Sequence, residues 1–154
     1  MPPSAQESLF QRIVEDAPDA IIFADRHGTI RLWNAGAEAI FGYRADEAVG
    51  QSLDLIIPEK QRGPHWEGYH TVMASGVTRY GRELLKVPAF RKDGSRISLE
   101  FSILILRDGA GQPLGAAAIL RDVTERWQQE RALRERLVAL EDTLKQSGIP
   151  QSRE

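Results

Sequence analysis

The spacing of apolar and polar residues divides the first part of the chain into three predicted elements. Behind a capping-box pair, Ser4 and Glu7, apolar residues recur at helical intervals, which predicts an N-terminal amphipathic helical cap over residues 1–18. Residues 20–24 then form a compact apolar run, and residues 29–33 alternate like a strand with one buried face. The glycine-containing turn between them predicts a β-hairpin.

The middle of the chain has helical spacing, and strand-like spacing then returns. Short helices are predicted between residues 35 and 76, where Gly63-Pro64 is expected to interrupt one helix and start the next, which carries His65. Three strand-like segments follow, at residues 80–90, 96–106 and 114–120. This order predicts an α+β fold, a five-stranded antiparallel sheet with short helices on one face and a ligand cavity between the layers.

A long helix is predicted over residues 124–146, followed by a flexible tail over residues 147–154. Four leucines alternate at spacings of four and three residues, which is typical of a coiled-coil seam: Leu133, Leu137, Leu140 and Leu144. Extending the seam backward reaches Glu130 and Arg126, polar residues that would weaken a dimer core. The helix would be about 34 Å long at 1.5 Å per residue, so we expect it to pair with a second copy in a homodimer.

Five short segments occur in a characteristic order along the chain. They are residues 25–30 (DRHGTI), 33–38 (WNAGAE), 41–43 (FGY), 91–95 (RKDGS) and 121–126 (RDVTER). In sequence and spacing they resemble the PAS domain (PAS/PAC sensor, S-box) family. The resemblance implies a sensor domain over residues 19–123, in which Asp122 and Thr124 couple the last strand to the C-terminal helix. The alternative is that both residues only cap that helix.

The resemblance also implies a bound ligand, for which haem b is the leading specific candidate. By this resemblance, His65 lies approximately at the position of the haem ligand in oxygen-sensing haem PAS domains. Arg82 is similar to their distal arginine. His70 is the alternative ligand; because it lies on a different helical face from His65, only one of the two can point into the cavity. No other metal site is predicted. An ordinary helix histidine, bonded to a backbone carbonyl, is the other interpretation of His65.

The composition excludes several classes of function. The chain has no cysteine, which rules out the flavin–thiol adduct of light-sensing LOV domains, although a flavin held without an adduct remains an alternative cofactor. With 154 residues and a net charge of -2, it offers no broad basic surface for nucleic acid. No apolar run approaches the roughly 20 residues of a membrane helix, so a soluble cytoplasmic protein is expected. No nucleophile–base pair or phosphate loop is recognisable, so an enzyme is not expected.

Together these features predict a sensory module that binds a small ligand or cofactor and transmits a change through its C-terminal helix. Because no kinase, cyclase or DNA-binding segment follows the helix, the expected output partner is a separate signalling protein. The alternative is a ligand-free dimerisation or docking module, in which Trp33, Phe41 and Phe101 fill the cavity.

Overall fold

The computed structural model describes residues 2, 4–78 and 83–148, and it divides between Asp122 and Val123 into two compact units. The helices of the first unit are α1 Ala5–Asp16, α2 Ala35–Phe41, α3 Ala45–Ala48 and α4 Glu59–Ser75, with a 3₁₀ turn at Leu53–Leu55. Its strands are β1 Ala20–Asp25, β2 Ile30–Trp33, β3 Leu85–Phe90, β4 Arg96–Arg107 and β5 Pro113–Asp122. The second unit contains α5, Thr124–Gln146.

The five strands form one sheet in the order β2-β1-β5-β4-β3, and every neighbouring pair is antiparallel. Alternate residues of β1, β4 and β5 enter the core, among them Ile22, Leu99 and Leu120. The helices supply the other side of the core, including the fully buried Phe41. The predicted α+β fold with a five-stranded antiparallel sheet is therefore confirmed.

The buried amide of Asn34 ties the N-terminal helix to this core. Its Oδ1 accepts from the backbone N–H of Ala37 at 2.9 Å, which caps α2, and from that of Ile21 at 2.8 Å. Its Nδ2 donates to the carbonyl oxygens of Val14 at 2.8 Å and Asp19 at 3.0 Å. One side chain thus joins the end of α1 to β1 and α2. The N-terminal helix and its capping box at Ser4 and Glu7 are present as predicted.

Helix α4 continues without interruption through Pro64, so the prediction that Gly63-Pro64 separates two helices is wrong. Proline lacks the N–H that would bond to the carbonyl four residues earlier, at Lys60. Both Lys60 and Pro64 are exposed, so water can satisfy that carbonyl. Arg62 also anchors this part of the helix, because its Nε donates to the carbonyl oxygen of Ile57 at 3.0 Å.

Strand β3 lies at the edge of the sheet, and few of its outward N–H groups are free to pair with another strand. Pro88 has no N–H to offer, and the N–H of Phe90 donates to the carbonyl oxygen of Ile56 at 3.2 Å. The strand begins at Leu85, later than the predicted residue 80. Residues 79–82 lie outside the described part of the chain.

The second unit consists of α5, whose bounds agree with the predicted helix over residues 124–146. No residue of this helix is buried, and the four seam leucines are between 42% and 61% exposed. Their pairing with a second copy remains a prediction. Most of the predicted tail, residues 149–154, lies outside the described residues. Among the described residues, no helix is both long enough and apolar enough to cross a membrane.

Candidate ligand-binding site

The core-facing side of β4 and β5 is only partly covered. Ile103 pairs with Ala118 and Ile105 with Ala116, in the same alternation as the buried Leu120. All four side chains are half-buried, as is Phe101 opposite Leu120. We call these five residues, Phe101, Ile103, Ile105, Ala116 and Ala118, the inner patch. The two alanine side chains are small and leave room above this apolar surface, which suits the apolar body of a small ligand.

Helix α4 is fixed near this patch by a stripe of side chains along one face. The indole Nε1 of Trp66 donates to Asp54 Oδ1 at 2.8 Å, and the hydroxyl of Tyr69 donates to the carbonyl oxygen of Asp25 at 2.5 Å. One turn further along the helix, the buried Met73 is only 5% exposed. These contacts attach α4 to the 3₁₀ turn and to the end of β1.

The hydroxyl of Tyr69 acts as a hydrogen-bond donor. Burial raises the pKa of Tyr69 to about 12, and the nearby Asp25 adds to the shift, while a hydrogen bond with the backbone of Ala116 opposes it. The phenol therefore stays protonated at neutral pH. It positions the helix, and its high pKa does not suit a general base.

Gly28, in the turn between β1 and β2, lets the Trp66 ring approach the backbone closely. A Cβ at this position would lie 2.1 Å from two atoms of the indole ring. The φ angle of Gly28 is also +80°, a conformation that glycine adopts readily. Glycine is thus required here by both the backbone and the neighbouring ring.

His65 lies half-buried beside the stripe, with its ring centroid 4.8 Å from that of Trp66 and 5.8 Å from that of Tyr69. Its Nδ1 is buried and has no hydrogen-bond partner among the described residues. Burial lowers the pKa of His65, although Asp54 opposes the shift. A neutral imidazole with a buried, unpaired nitrogen therefore lies next to the aromatic stripe. The backbone-carbonyl bond of the ordinary interpretation is not found for this nitrogen.

The structure does not bring the other predicted haem residues to the same place. His70 is exposed and stacks on Trp66, with ring centroids 5.9 Å apart. Arg82, the predicted distal residue, lies outside the described residues. Helical spacing had placed the two histidines on different faces, and their unequal burial agrees with that placement.

The residues present fit one requirement of a haem site. Haem iron takes a neutral imidazole as axial ligand, and His65 offers an unpaired buried nitrogen beside the rings of Trp66 and Tyr69. Within the described ranges, no group of three or more histidine, aspartate or glutamate side chains could hold a bare metal ion. His65 is thus the described histidine whose environment suits axial ligation.

At the end of β5, the carboxylate of Asp122 accepts a hydrogen bond from Arg91 Nη2 at 2.6 Å. Arg91 follows β3, and the next residue, Lys92, donates its N–H to the carbonyl oxygen of Phe41 at 2.8 Å. Val123 occupies the N-cap position of α5, and Thr124 is the first residue of that helix. The turn between β3 and β4 thus connects α2 with the last residue of β5. The sequence had placed Arg91 in a motif but gave it no role.

The first unit is thus an α+β domain in which helices cross one face of an antiparallel sheet and leave an apolar surface partly open. The match to a family model over residues 14–128, with the description PAS fold, makes the assignment specific. The chain belongs to the PAS fold family.

Individual relatives agree with this assignment. Over 133 residues the chain is 32% identical to the sensor protein FixL of Bradyrhizobium diazoefficiens, covering 84% of this chain and 25% of FixL. It is 22% identical over 138 residues to the oxygen sensor protein DosP of Escherichia coli, covering 90% of this chain and 17% of DosP. The chain therefore spans a quarter or less of these curated relatives.

A solved PAS domain from Colwellia psychrerythraea has the same fold. It superposes with a TM-score of 0.67 at 23% sequence identity, covering 77% of this chain and 97% of that one. At this identity the likeness supports the fold and carries no further argument about the ligand.

Proposed function

We propose that this PAS module is a sensor that binds a small ligand or cofactor against the inner patch. The observation that carries the proposal is the combination of a half-buried apolar surface on β4 and β5 with the unpaired, buried Nδ1 of His65. Apolar surface supplies affinity for the body of a ligand, and one polar atom fixes its orientation. The module acts by binding rather than by catalysis.

Haem b is the leading specific ligand. His65 would hold the iron, with His70 as the alternative ligand and Arg82 as the distal residue. Bound haem would supply an iron centre that can take up a diatomic gas. The name of DosP, an oxygen sensor, supports this choice. A flavin held without a covalent adduct is the second cofactor, because the chain has no cysteine to form one.

An absorption spectrum of the protein purified with haem supplied tests this assignment. We expect a Soret band in the unmodified protein and in His70→Ala, and its loss in His65→Ala. Retention of the band in His65→Ala with loss in His70→Ala would move the ligand to His70. No band in the unmodified protein would refute haem, and a copurifying small molecule found by mass spectrometry would then identify another ligand.

We propose that Asp122 and Thr124 transmit the conformational change on ligand binding from the last strand to the C-terminal helix. Arg91 holds Asp122 from a turn that is also bonded to α2. A ligand can shift this connection only if it binds one of two arrangements more tightly than the other. We propose that the exposed leucines of α5 pair in a homodimer and that the signal passes to a separate signalling protein.

A ligand-free dimerisation or docking module is the second candidate function. It is favoured by the aromatic packing on the β2 side of the core, where Trp33 and Phe41 are buried with ring centroids 5.3 Å apart. On α1, Leu9, Phe10 and Ile13 are also more than half exposed. A colourless dimer without any copurifying small molecule would favour this function.

A further inference from the structure

A concavity of about 380 Å³, open on one side to solvent, lies between the start of α4 and the edge strand β3. Pro58, Pro88 and Phe90 form its apolar part, and Glu59, Lys60 and Arg96 supply its charges. We call it the edge pocket. Pro88 and Phe90 alternate along β3 with Ala89, whose side chain is buried in the core. The edge pocket is therefore distinct from the inner patch.

The apolar residues of the edge pocket are suited to a flat ring. Proline and phenylalanine side chains present rigid surfaces, so a ring that packs against them causes little additional loss of conformational entropy. Phe90 is 38% exposed although it is large and apolar. The volume lies within the range of small-molecule sites, about 300–1,000 Å³.

The charges favour an anion. Lys60 and Arg96 are exposed, and neither has an ion-pair or hydrogen-bond partner for its side chain among the described residues. The two cations between β3 and β4 differ in this respect, because Arg91 pairs with Asp122 and Lys92 with Glu47. Glu59 is the single acidic residue of the edge pocket. Two cations and one carboxylate give the edge pocket a net charge of +1.

We propose that the edge pocket binds a small aromatic carboxylate. The ring packs against Pro88 and Phe90, and the carboxylate pairs with Arg96, whose planar guanidinium can donate two parallel hydrogen bonds. Lys60 adds a second positive charge. This site is independent of the ligand proposed for the inner patch, so either site can be refuted without the other.

Titration of the full, ¹⁵N-labelled chain with 1-naphthoate, followed by NMR, tests the proposal. We expect the largest amide shifts at residues 59–61, 90 and 96. The uncharged analogue 1-naphthalenemethanol should bind at least about tenfold more weakly, because it cannot pair with Arg96. Raising the salt concentration should weaken the binding of 1-naphthoate and leave that of the uncharged analogue unchanged.

Matched variants separate a specific site from general attraction to a cation. Arg96→Gln should weaken naphthoate binding about tenfold. Arg12→Gln removes the same charge from an exposed position on α1 and should leave the affinity unchanged. The spectrum of each variant reports directly whether it is folded.

Three results would overturn the proposal. They are shifts centred on the inner patch, equal affinities for the charged and uncharged probes, and the absence of any shift up to the solubility limit of naphthoate.

Discussion

Arg91 Nη2 lies 2.6 Å from Asp122 Oδ2, although the two residues are 31 positions apart in the sequence. Asp122 ends β5, and its side chain is only 22% exposed, whereas that of Arg91 is 39% exposed. The Nε of Arg91 is buried without a hydrogen-bond partner among the described residues. The pair is therefore less screened by water than the surface ion pairs of this chain. It connects the turn after β3 with the residue that precedes the C-terminal unit.

Replacing Arg91 tests the contribution of this pair. Arg91→Ala should lower the free energy of unfolding by about 1 kcal/mol, because Asp122 loses a charged donor in a partly buried position. Urea unfolding measures the change. Arg44→Ala breaks the exposed Arg44–Asp46 pair, whose side chains are 72% and 73% exposed, and should cost less than about 0.5 kcal/mol. Equal losses in the two variants would show that Arg91–Asp122 behaves as an ordinary surface pair.

The close approach of Trp66 to Gly28 predicts a large effect of a single methyl group. Gly28→Ala introduces a Cβ at a φ of +80° and within 2.1 Å of the indole ring. The ring is held by its hydrogen bond to Asp54, so it cannot move away freely. Gly50 has a φ of +93° but no heavy atom within 4 Å of the added Cβ, so Gly50→Ala carries the backbone strain alone.

We therefore expect Gly28→Ala to lose about 2 kcal/mol more stability than Gly50→Ala, the usual cost of overpacking. Thermal and urea unfolding would measure both variants. Similar losses would mean that the Trp66 ring repacks without cost.

The Tyr69 hydroxyl predicts both a mutational effect and an alkaline one. Tyr69→Phe should destabilise the fold by about 1 kcal/mol, because the carbonyl of Asp25 loses the phenol as a donor and keeps the N–H of Gly28. Tyr43→Phe is the control, since no hydrogen bond of the Tyr43 hydroxyl is found among the described residues.

The pKa of Tyr69 is raised to about 12 in the folded chain, from an ordinary value of 10.0. The protonated phenol therefore contributes to stability in full below pH 10. This contribution should be lost as the pH rises from 10 to 12, because the unfolded chain releases the proton first. Urea unfolding between these pH values should therefore show a smaller fall in the free energy of unfolding for Tyr69→Phe than for the unmodified protein. The same slope in both proteins would contradict the assignment.

His65 predicts a loss of stability in mild acid. Its folded-state pKa is lowered from 6.5 by burial, so the unfolded chain binds a proton more readily than the folded one. Its contribution is present above pH 6.5 and is lost as the pH falls through the lowered folded-state value. Urea unfolding at pH 7.5 and pH 5 should show a smaller difference in His65→Gln than in the unmodified protein. The exposed His70 supplies the control, and an equal change in His70→Gln would contradict this role of His65.

The sequence predicts best those elements whose periodicity extends over many residues. The alternation in β4 and the leucine spacing in α5 depend on neighbours along the chain, so the order of the elements along the chain and the bounds of α5 could be predicted. Pro64 misled the prediction, because its cost depends on whether water can reach the carbonyl of Lys60, and exposure is a property of the folded chain.

The candidate sites depended still more on tertiary contacts. Helical spacing separated His65 from His70, but only the fold shows which of them has a buried, unpaired nitrogen. The partnership of Arg91 with Asp122 and the edge pocket both join segments about 30 residues apart. A single sequence contains no periodic signal for such contacts.

The exposed seam of α5 predicts a concentration-dependent dimer. Leu137 is 59% exposed and lies in the middle of the four seam leucines, whereas the neighbouring Val138 is 57% exposed but lies outside the seam. A charge at a seam position must be buried when two helices pair, whereas a charge at a flanking position stays in water. Leu137→Lys should therefore raise the dimer dissociation constant at least about tenfold, while Val138→Lys should change it little. Analytical ultracentrifugation over a range of concentrations measures both constants, and equal effects of the two lysines would place the contact between copies elsewhere on the chain.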